Sequence, residues 1–165
     1  MTNTDTQTDT LVPDPDRDLL LERYIAVAPE LVWAAWTEPA RLTQWFTPAP
    51  WTTPECEIDL RPGGIFKTVM ESPEGERNDN AGCYLEVVEG TRLVWTTTMG
   101  AGYRPNEQHP MSFTAVITIT PEGEGTRYSA LVMHGNAADA QHHAELGFHD
   151  GWGAALDQLV ALWGH

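Results

Sequence analysis

The sequence predicts an α+β domain in which a curved antiparallel sheet of about six to seven strands wraps around a long C-terminal helix. Between residues 56 and 134, apolar and polar residues alternate with a period of two, in segments joined by short turns. From Ala137 to Trp163, large apolar residues instead recur every three or four positions. Strands joined by short turns pair antiparallel, and a sheet with one apolar face needs a cover. We therefore expect the terminal helix to lie across the sheet.

The N-terminal residues predict a tail, a first strand and two short helices. Residues 1–17 are acidic, rich in Thr and almost devoid of large apolar residues, which is typical of a disordered segment. A single domain is expected over residues 18–165. Its first strand is predicted at residues 19–27, and Pro29 stands where a helix begins. That helix should end near Pro39, and a second short one should carry Arg41 to Trp45.

The middle of the chain predicts six further strands. We expect them at residues 56–61, 65–71, 82–88, 92–99, 113–119 and 126–134. Turn residues separate them, for example Pro62-Gly63-Gly64. Strict alternation places Tyr84 and Glu86 on one face of their strand, and the pattern does not decide which face is interior.

The terminal segment predicts one continuous helix from Ala137 to Trp163, roughly 40 Å long. Gly147, Gly151 and Gly153 interrupt it, and each costs roughly 1 kcal/mol of helix propensity relative to Ala. Their missing side chains have two interpretations. They either permit close helix–sheet packing or a kink, or they leave room beside a bound molecule.

Composition excludes several classes of function. The 165 residues carry a formal charge of −15, which argues against nucleic-acid and anionic-membrane partners. The N terminus lacks the basic and apolar regions of a secretory signal, and no apolar run reaches membrane-spanning length. Cys56 and Cys83 are too few for a disulfide framework. We expect a cytoplasmic protein with free thiols.

A series of short motifs in order resembles one family. They are Ala28-Pro29 with Val32-Trp33, Trp45-Phe46, Asp59-x-Arg61-Pro62-Gly63-Gly64-x-Phe66, Gly82-x-x-Leu85-Glu86-Val87, Arg92-Leu93-Val94, Gly125-Thr126, and Gly151-Trp152 with Leu156 and Leu159. The chain is similar over residues 19–163 to the homologues of the heat-shock-protein-90 ATPase activator, within the START-like superfamily of polyketide cyclases and lipid-transport proteins. The resemblance implies a helix-grip fold with a hydrophobic cavity between the sheet and the terminal helix.

Large apolar residues that should face this helix or the open end of the sheet form the predicted ligand site. They are Trp33, Trp45, Phe46, Phe66, Met70, Tyr84, Trp95, Met99, Phe113, Met133, Phe148 and Trp152. Ligand cavities are mostly apolar with a few polar groups that fix orientation. For any one of these residues, plain core packing is the alternative interpretation.

Polar candidates for this cavity are few. They are Arg61, Tyr84, Glu86, Tyr128 and His134. His142, Glu145 and His149 share one helix face, but their spacing is not that of a zinc motif, so a solvated face is the preferred interpretation. No metal, cofactor or catalytic residue is predicted, and no serine lies in a nucleophile elbow.

We therefore expect a protein that binds a small hydrophobic or aromatic molecule, with the loop Gly100–Pro110 as a lid. Two alternatives stay open. One is a cyclase- or aromatase-like enzyme that uses the same cavity, and the other is a co-chaperone-like module that contacts a chaperone. The sequence leaves the oligomeric state open, with a homodimer as one outcome.

Overall fold

The computed structural model describes residues 11–107 and 111–165. The strands are β1 (Asp18–Ile25), β2 (Thr52–Ile58), β3 (Ile65–Glu71), β4 (Arg77–Val88), β5 (Arg92–Thr96), β6 (Met99–Gly100), β7 (Arg104–Pro105), β8 (Thr114–Glu122) and β9 (Gly125–Met133). The helices are α1 (Pro29–Thr37), α2 (Pro39–Leu42), α3 (Ala137–Glu145) and α4 (Phe148–Trp163), and a single 3₁₀ turn spans Ala101–Tyr103.

Seven strands form one antiparallel sheet in the order β1-β9-β8-β5-β4-β3-β2. β6 and β7 make a separate two-stranded hairpin. The predicted α+β class, the seven-stranded antiparallel sheet and the two short helices after β1 are confirmed. The strands at the far edge are longer than predicted, because β2 begins at Thr52 in the expected loop and β4 begins at Arg77.

One face of the sheet carries the main hydrophobic core. Buried residues of α1, α2 and α4 pack there against alternate residues of the strands. The large side chains of this core are Trp36, Leu42, Trp45, Phe66, Tyr84, Trp95, Tyr128 and Phe148. The opposite face has a small cluster of Val94, Val116 and Leu131, with Met133 partly buried beside it. The helices therefore cover one side of the sheet, as its period-two pattern requires.

The predicted single terminal helix is wrong in one respect, because it is two helices. α3 begins after Asn136, whose side-chain oxygen accepts a hydrogen bond from the Asp139 N–H at 2.8 Å. It ends before Gly147, which has φ +96°, in the left-handed region that glycine enters at low cost. α4 has 16 residues and is thus about 24 Å long, not 40 Å.

A β-bulge in β4 corrects the predicted alternation there. The register with β5 shifts between Tyr84 and Glu86, so Tyr84 lies opposite Trp95 while Glu86 lies opposite Val94. Tyr84 is fully buried in the main core. Glu86 instead makes two 3.0 Å hydrogen bonds with the Arg92 guanidinium, and its side chain is 43% exposed. The two residues are on opposite faces.

Two further predictions fall partly outside the described residues. Residues 1–10 of the predicted tail lie outside the described residues. Further along the tail, a turn leads into β1, and in it the Asp18 N–H donates to the Asp14 carbonyl. Residues 108–110 of the predicted lid also lie outside the described residues. The rest of that loop holds the β6–β7 hairpin, where the Gly102 N–H donates to the Gly63 carbonyl at 2.7 Å.

Candidate functional site

A cavity of about 740 Å³ lies between the sheet and the C-terminal helices. Its lining comes from α1, the segment that follows α2, strands β3 to β5, the segment that leads into β8, and both α3 and α4. Small-molecule sites typically have volumes of about 300 to 1,000 Å³. The cavity is therefore large enough for a ligand of two or three rings.

Seven Phe and Trp side chains line the cavity. The lining residues Trp36, Phe46, Phe66, Trp95, Phe113, Phe148 and Trp152 are linked by ring-to-ring contacts. Phe66 and Trp95 lie 4.8 Å apart edge to face, and Trp95 lies parallel to Trp152 at 6.4 Å. Such contacts stabilise each ring by about 0.5 to 1.5 kcal/mol beyond its burial. The wall is a supported aromatic surface.

The helix side of the cavity has open space at one glycine. Gly151 lines the cavity in the first turn of α4, and a Cβ built on it would meet no atom within 4 Å. Gly153 has equally free surroundings but does not line the cavity. Of the two interpretations offered for these glycines, Gly147 fits the kink and Gly151 fits the open room. Close packing on the sheet applies to neither Gly151 nor Gly153.

The rim of the cavity is mixed. The first residues of β4 contribute Arg77, Asn78, Asp79 and Asn80 to the lining. On the helix side, Leu146 is an apolar side chain that is 65% exposed. A ligand that enters would therefore pass polar groups on one side and an apolar one on the other.

A buried pair of histidines joins α3 to the end of β9. The Nε2 atom of His134 lies 2.9 Å from the Nδ1 atom of His143, and the Nδ1 atom of His134 lies 2.8 Å from the Arg17 carbonyl oxygen. His143 lines the cavity, between the rings of Phe113 at 5.2 Å and Phe148 at 5.3 Å. Burial, with smaller contributions from the two neighbouring histidines, lowers the pKa of His143 to about 4. Its imidazole is neutral at physiological pH.

Three other polar groups lie deep in the core. The Tyr128 hydroxyl accepts a hydrogen bond from Trp36 Nε1 at 3.2 Å. The Trp95 Nε1–H and the Tyr84 hydroxyl are buried and have no hydrogen-bond partner within the described part of the chain. Burial raises the pKa of both tyrosines, so both stay protonated.

The predicted site residues divide into two groups. The structure brings Phe46, Phe66, Met70, Trp95, Phe113, Phe148 and Trp152 together along the cavity. It places the others elsewhere: Trp45 and Tyr84 in the core, Trp33 at the edge of the core, Met99 in the β6–β7 hairpin, and Met133 on the opposite face of the sheet.

Sequence reasoning missed Trp36, Thr68, Thr97 and His143, all of which line the cavity. For Trp36 a signal was present. Val32, Ala35 and Trp36 are the buried residues of α1 and have the three- and four-residue spacing of one helix face, which excludes Trp33.

Two remaining polar candidates, Arg61 and Glu86, are not part of the cavity lining. Arg61 forms an exposed ion pair with Asp59 at 2.8 Å. Both cysteines are free, and burial raises the pKa of the Cys56 thiol to about 11, which makes it unreactive at neutral pH. Over residues 11–107 and 111–165, no group of three His, Cys, Asp or Glu side chains is arranged to hold a metal ion.

Comparison with known proteins supplies the family. The sequence profile described as activator of Hsp90 ATPase homolog 1-like protein matches residues 26–164, which is most of the chain. The chain belongs to this family. The predicted resemblance is confirmed, and no curated protein matches the chain.

Solved structures share the fold. A crystal structure of a protein from Nitrosomonas europaea is 47% identical, covers 90% of this chain and 95% of its own, and superposes with a TM-score of 0.86. The AHSA1 protein from Silicibacter pomeroyi is 26% identical over 88% of this chain and 96% of its own, with a TM-score of 0.65. A protein from Mycobacterium smegmatis, 23% identical over 93% and 94%, shows the same fold at a TM-score of 0.72.

None of the helices in the described ranges is long and apolar enough to cross a membrane.

Proposed function

We propose that this member of the Hsp90-ATPase-activator-homologue family binds a small hydrophobic or aromatic molecule between the sheet and helix α4. The observation that carries the proposal is the 740 Å³ cavity with its wall of mutually supporting aromatic rings. Small-molecule sites are concave, a few hundred Å³ in volume and mostly apolar with a few polar groups, and this cavity has that size and that kind of lining.

The energetics favour an apolar occupant. Burial of apolar surface contributes roughly 25 cal/mol per Å², so 200 Å² of ligand surface corresponds to about 5 kcal/mol before the cost of immobilising the ligand. Because the rings contact one another, they are already ordered, and little side-chain entropy is lost on binding. Charged side chains in the lining are those of the rim, Arg77 and Asp79.

A fluorescence titration tests the proposal. Phenylnaphthylamine is a neutral aromatic dye whose emission rises in apolar surroundings, and we expect saturable, one-to-one binding to the folded protein. Urea-unfolded protein is the control for non-specific contact with Trp side chains. Absence of saturable binding by this dye and by other neutral aromatic probes would refute the proposal.

Contact with a chaperone is a second candidate function. The observation that favours it is the family description itself, which refers to activation of the Hsp90 ATPase. Its test is the ATPase rate of a purified Hsp90-type chaperone with and without the protein, and an unchanged rate at saturating protein would exclude activation. We propose a cytoplasmic location for either function.

The cyclase- or aromatase-like alternative uses the same cavity and stays a prediction. Chemical conversion of a bound aromatic polyketide-type substrate, detected by mass spectrometry of the released product, would distinguish it from simple binding.

A further inference from the structure

The hydrogen bonds of the histidine pair determine which nitrogen of His143 carries a proton. A backbone carbonyl only accepts hydrogen bonds, so the Nδ1 atom of His134, 2.8 Å from the Arg17 oxygen, must be the protonated donor. When the His134 ring carries only this proton, its Nε2 atom has the free lone pair. That lone pair accepts a hydrogen bond from Nδ1–H of His143, 2.9 Å away.

The second nitrogen of His143 is consequently an acceptor. With Nδ1 protonated and the imidazole neutral, Nε2 carries a lone pair and no proton. The chain from the Arg17 carbonyl through His134 thus fixes one tautomer of a side chain that lines the cavity. A fixed tautomer gives the cavity a hydrogen-bond acceptor of constant direction.

Burial keeps this acceptor uncharged. The pKa of His143 is lowered to about 4, so the lone pair is available throughout the physiological range. The rings of Phe113 and Phe148 lie beside the imidazole. An aromatic ligand that reaches the His143 nitrogen would therefore also contact these rings.

We propose that the ligand is a neutral aromatic molecule bearing a hydroxyl or N–H group, which donates a hydrogen bond to Nε2 of His143. This inference rests on the proposed function, because it assigns an orienting group to the same cavity. It selects phenols, hydroxylated polycyclic compounds and aromatic amines over hydrocarbons and ethers of the same shape. A ligand that lacks a donor would leave the imidazole nitrogen desolvated without a partner, which costs affinity.

A matched pair of probes tests this selection. A naphthol and its methyl ether, methoxynaphthalene, share the same two rings, and the naphthol is neutral at pH 7 because phenols titrate near pH 10. Their dissociation constants are measured by calorimetry on wild-type protein, on His143→Phe and on the control His142→Phe. His142 is the exposed neighbour on the same helix.

The readout is the ratio of the two dissociation constants, because the extra methyl group affects every protein variant alike. We expect His143→Phe to reduce the preference for naphthol by about two- to tenfold relative to wild type, the range of one net hydrogen bond. His142→Phe should leave the ratio unchanged. A ratio that is equal in wild type and His143→Phe, or that falls equally in both variants, would overturn the inference.

A second measurement needs no substitution. In wild-type protein the nitrogen-15 resonance of His143 Nε2 should move upfield when naphthol is added, as a lone pair does when it accepts a hydrogen bond. It should move much less with methoxynaphthalene, and equal shifts would contradict the inference. If neither probe binds, the proposed function fails; if both bind with no role for His143, binding stands and the donor requirement fails.

Discussion

Filling part of the cavity from helix α4 should weaken ligand binding while leaving the fold intact. Gly151→Leu introduces a side chain where the structure has free space, since nothing lies within 4 Å of the missing Cβ. A leucine side chain occupies up to roughly 150 Å³, the size of cavity left when one is truncated. That is about a fifth of the 740 Å³ available.

The affinity loss follows from the apolar contact that the leucine displaces. Removing a ligand from roughly 60 to 100 Å² of contact loses about 1.5 to 2.5 kcal/mol at roughly 25 cal/mol per Å², which is about ten- to seventyfold in affinity. In contrast to the affinity, the stability of the folded protein should increase. Replacing a helical glycine with leucine gains about 0.7 kcal/mol of helix propensity, or a Tm increase of about 2 °C.

Gly153→Leu is the matched control. It makes the same substitution two residues along the same helix, with equally open surroundings, but outside the cavity lining. The assay is titration with phenylnaphthylamine, with Tm measured by circular dichroism. Gly153→Leu should bind the dye as wild type does. If Gly151→Leu binds as tightly as Gly153→Leu, the dye is not in this cavity and the reasoning is refuted.

Three further substitutions test the packing around the cavity. Trp36→Phe deprives the buried Tyr128 hydroxyl of its 3.2 Å donor and should destabilise the protein by about 2 kcal/mol in urea denaturation, whereas an unchanged midpoint would contradict that bond. The pKa of His143 is lowered in the folded state, so the unfolded chain binds this proton first and the free energy of unfolding should fall as pH drops from about 6.5 to about 4. His143→Gln should flatten this part of the profile, measured by urea denaturation at each pH. A profile identical to that of wild type would contradict the assignment to His143. Gln158→Leu removes the hydrogen bonds that the Gln158 side-chain amide donates to the carbonyls of Trp45 at 2.9 Å and Thr47 at 3.0 Å. Backbone amide hydrogen exchange over residues 46–51 should then speed up by about tenfold or more. Unchanged exchange there would show that these two hydrogen bonds do not hold the segment in place.

The fold was predictable because its periodicities are strong and local. Alternation and turn residues located the strands of the sheet, and the apolar spacing of Phe148, Trp152, Leu156 and Leu159 located α4. The break at Gly147 was harder, because glycine inside a helical pattern signals a kink, a cap or room for a neighbour without deciding among them. Its positive φ is a backbone property that spacing alone does not reveal.

The site was predictable in its aromatic part and not in its polar part. Alternation along β3 and β5 correctly placed Phe66 and Trp95 on the inner face, because a strand's side chains alternate until a bulge intervenes. The bulge after Tyr84 shifts the alternation of inward and outward side chains by one residue, so Glu86 lies on the face opposite to Tyr84, which strict alternation does not predict. His143 was missed because its position in the cavity wall depends on contacts with His134 and Phe113, which come from other parts of the chain.

Native mass spectrometry of the protein purified from the organism that makes it tests the proposed ligand binding most directly. We predict that gently ionised wild-type protein carries a small molecule that adds to the 18.3 kDa chain and is lost on denaturation, and that a much smaller fraction of Gly151→Leu from the same source carries it. Two results would contradict the account: wild-type protein detected only at the mass of the chain without a bound molecule, or a bound molecule retained equally by wild type and Gly151→Leu.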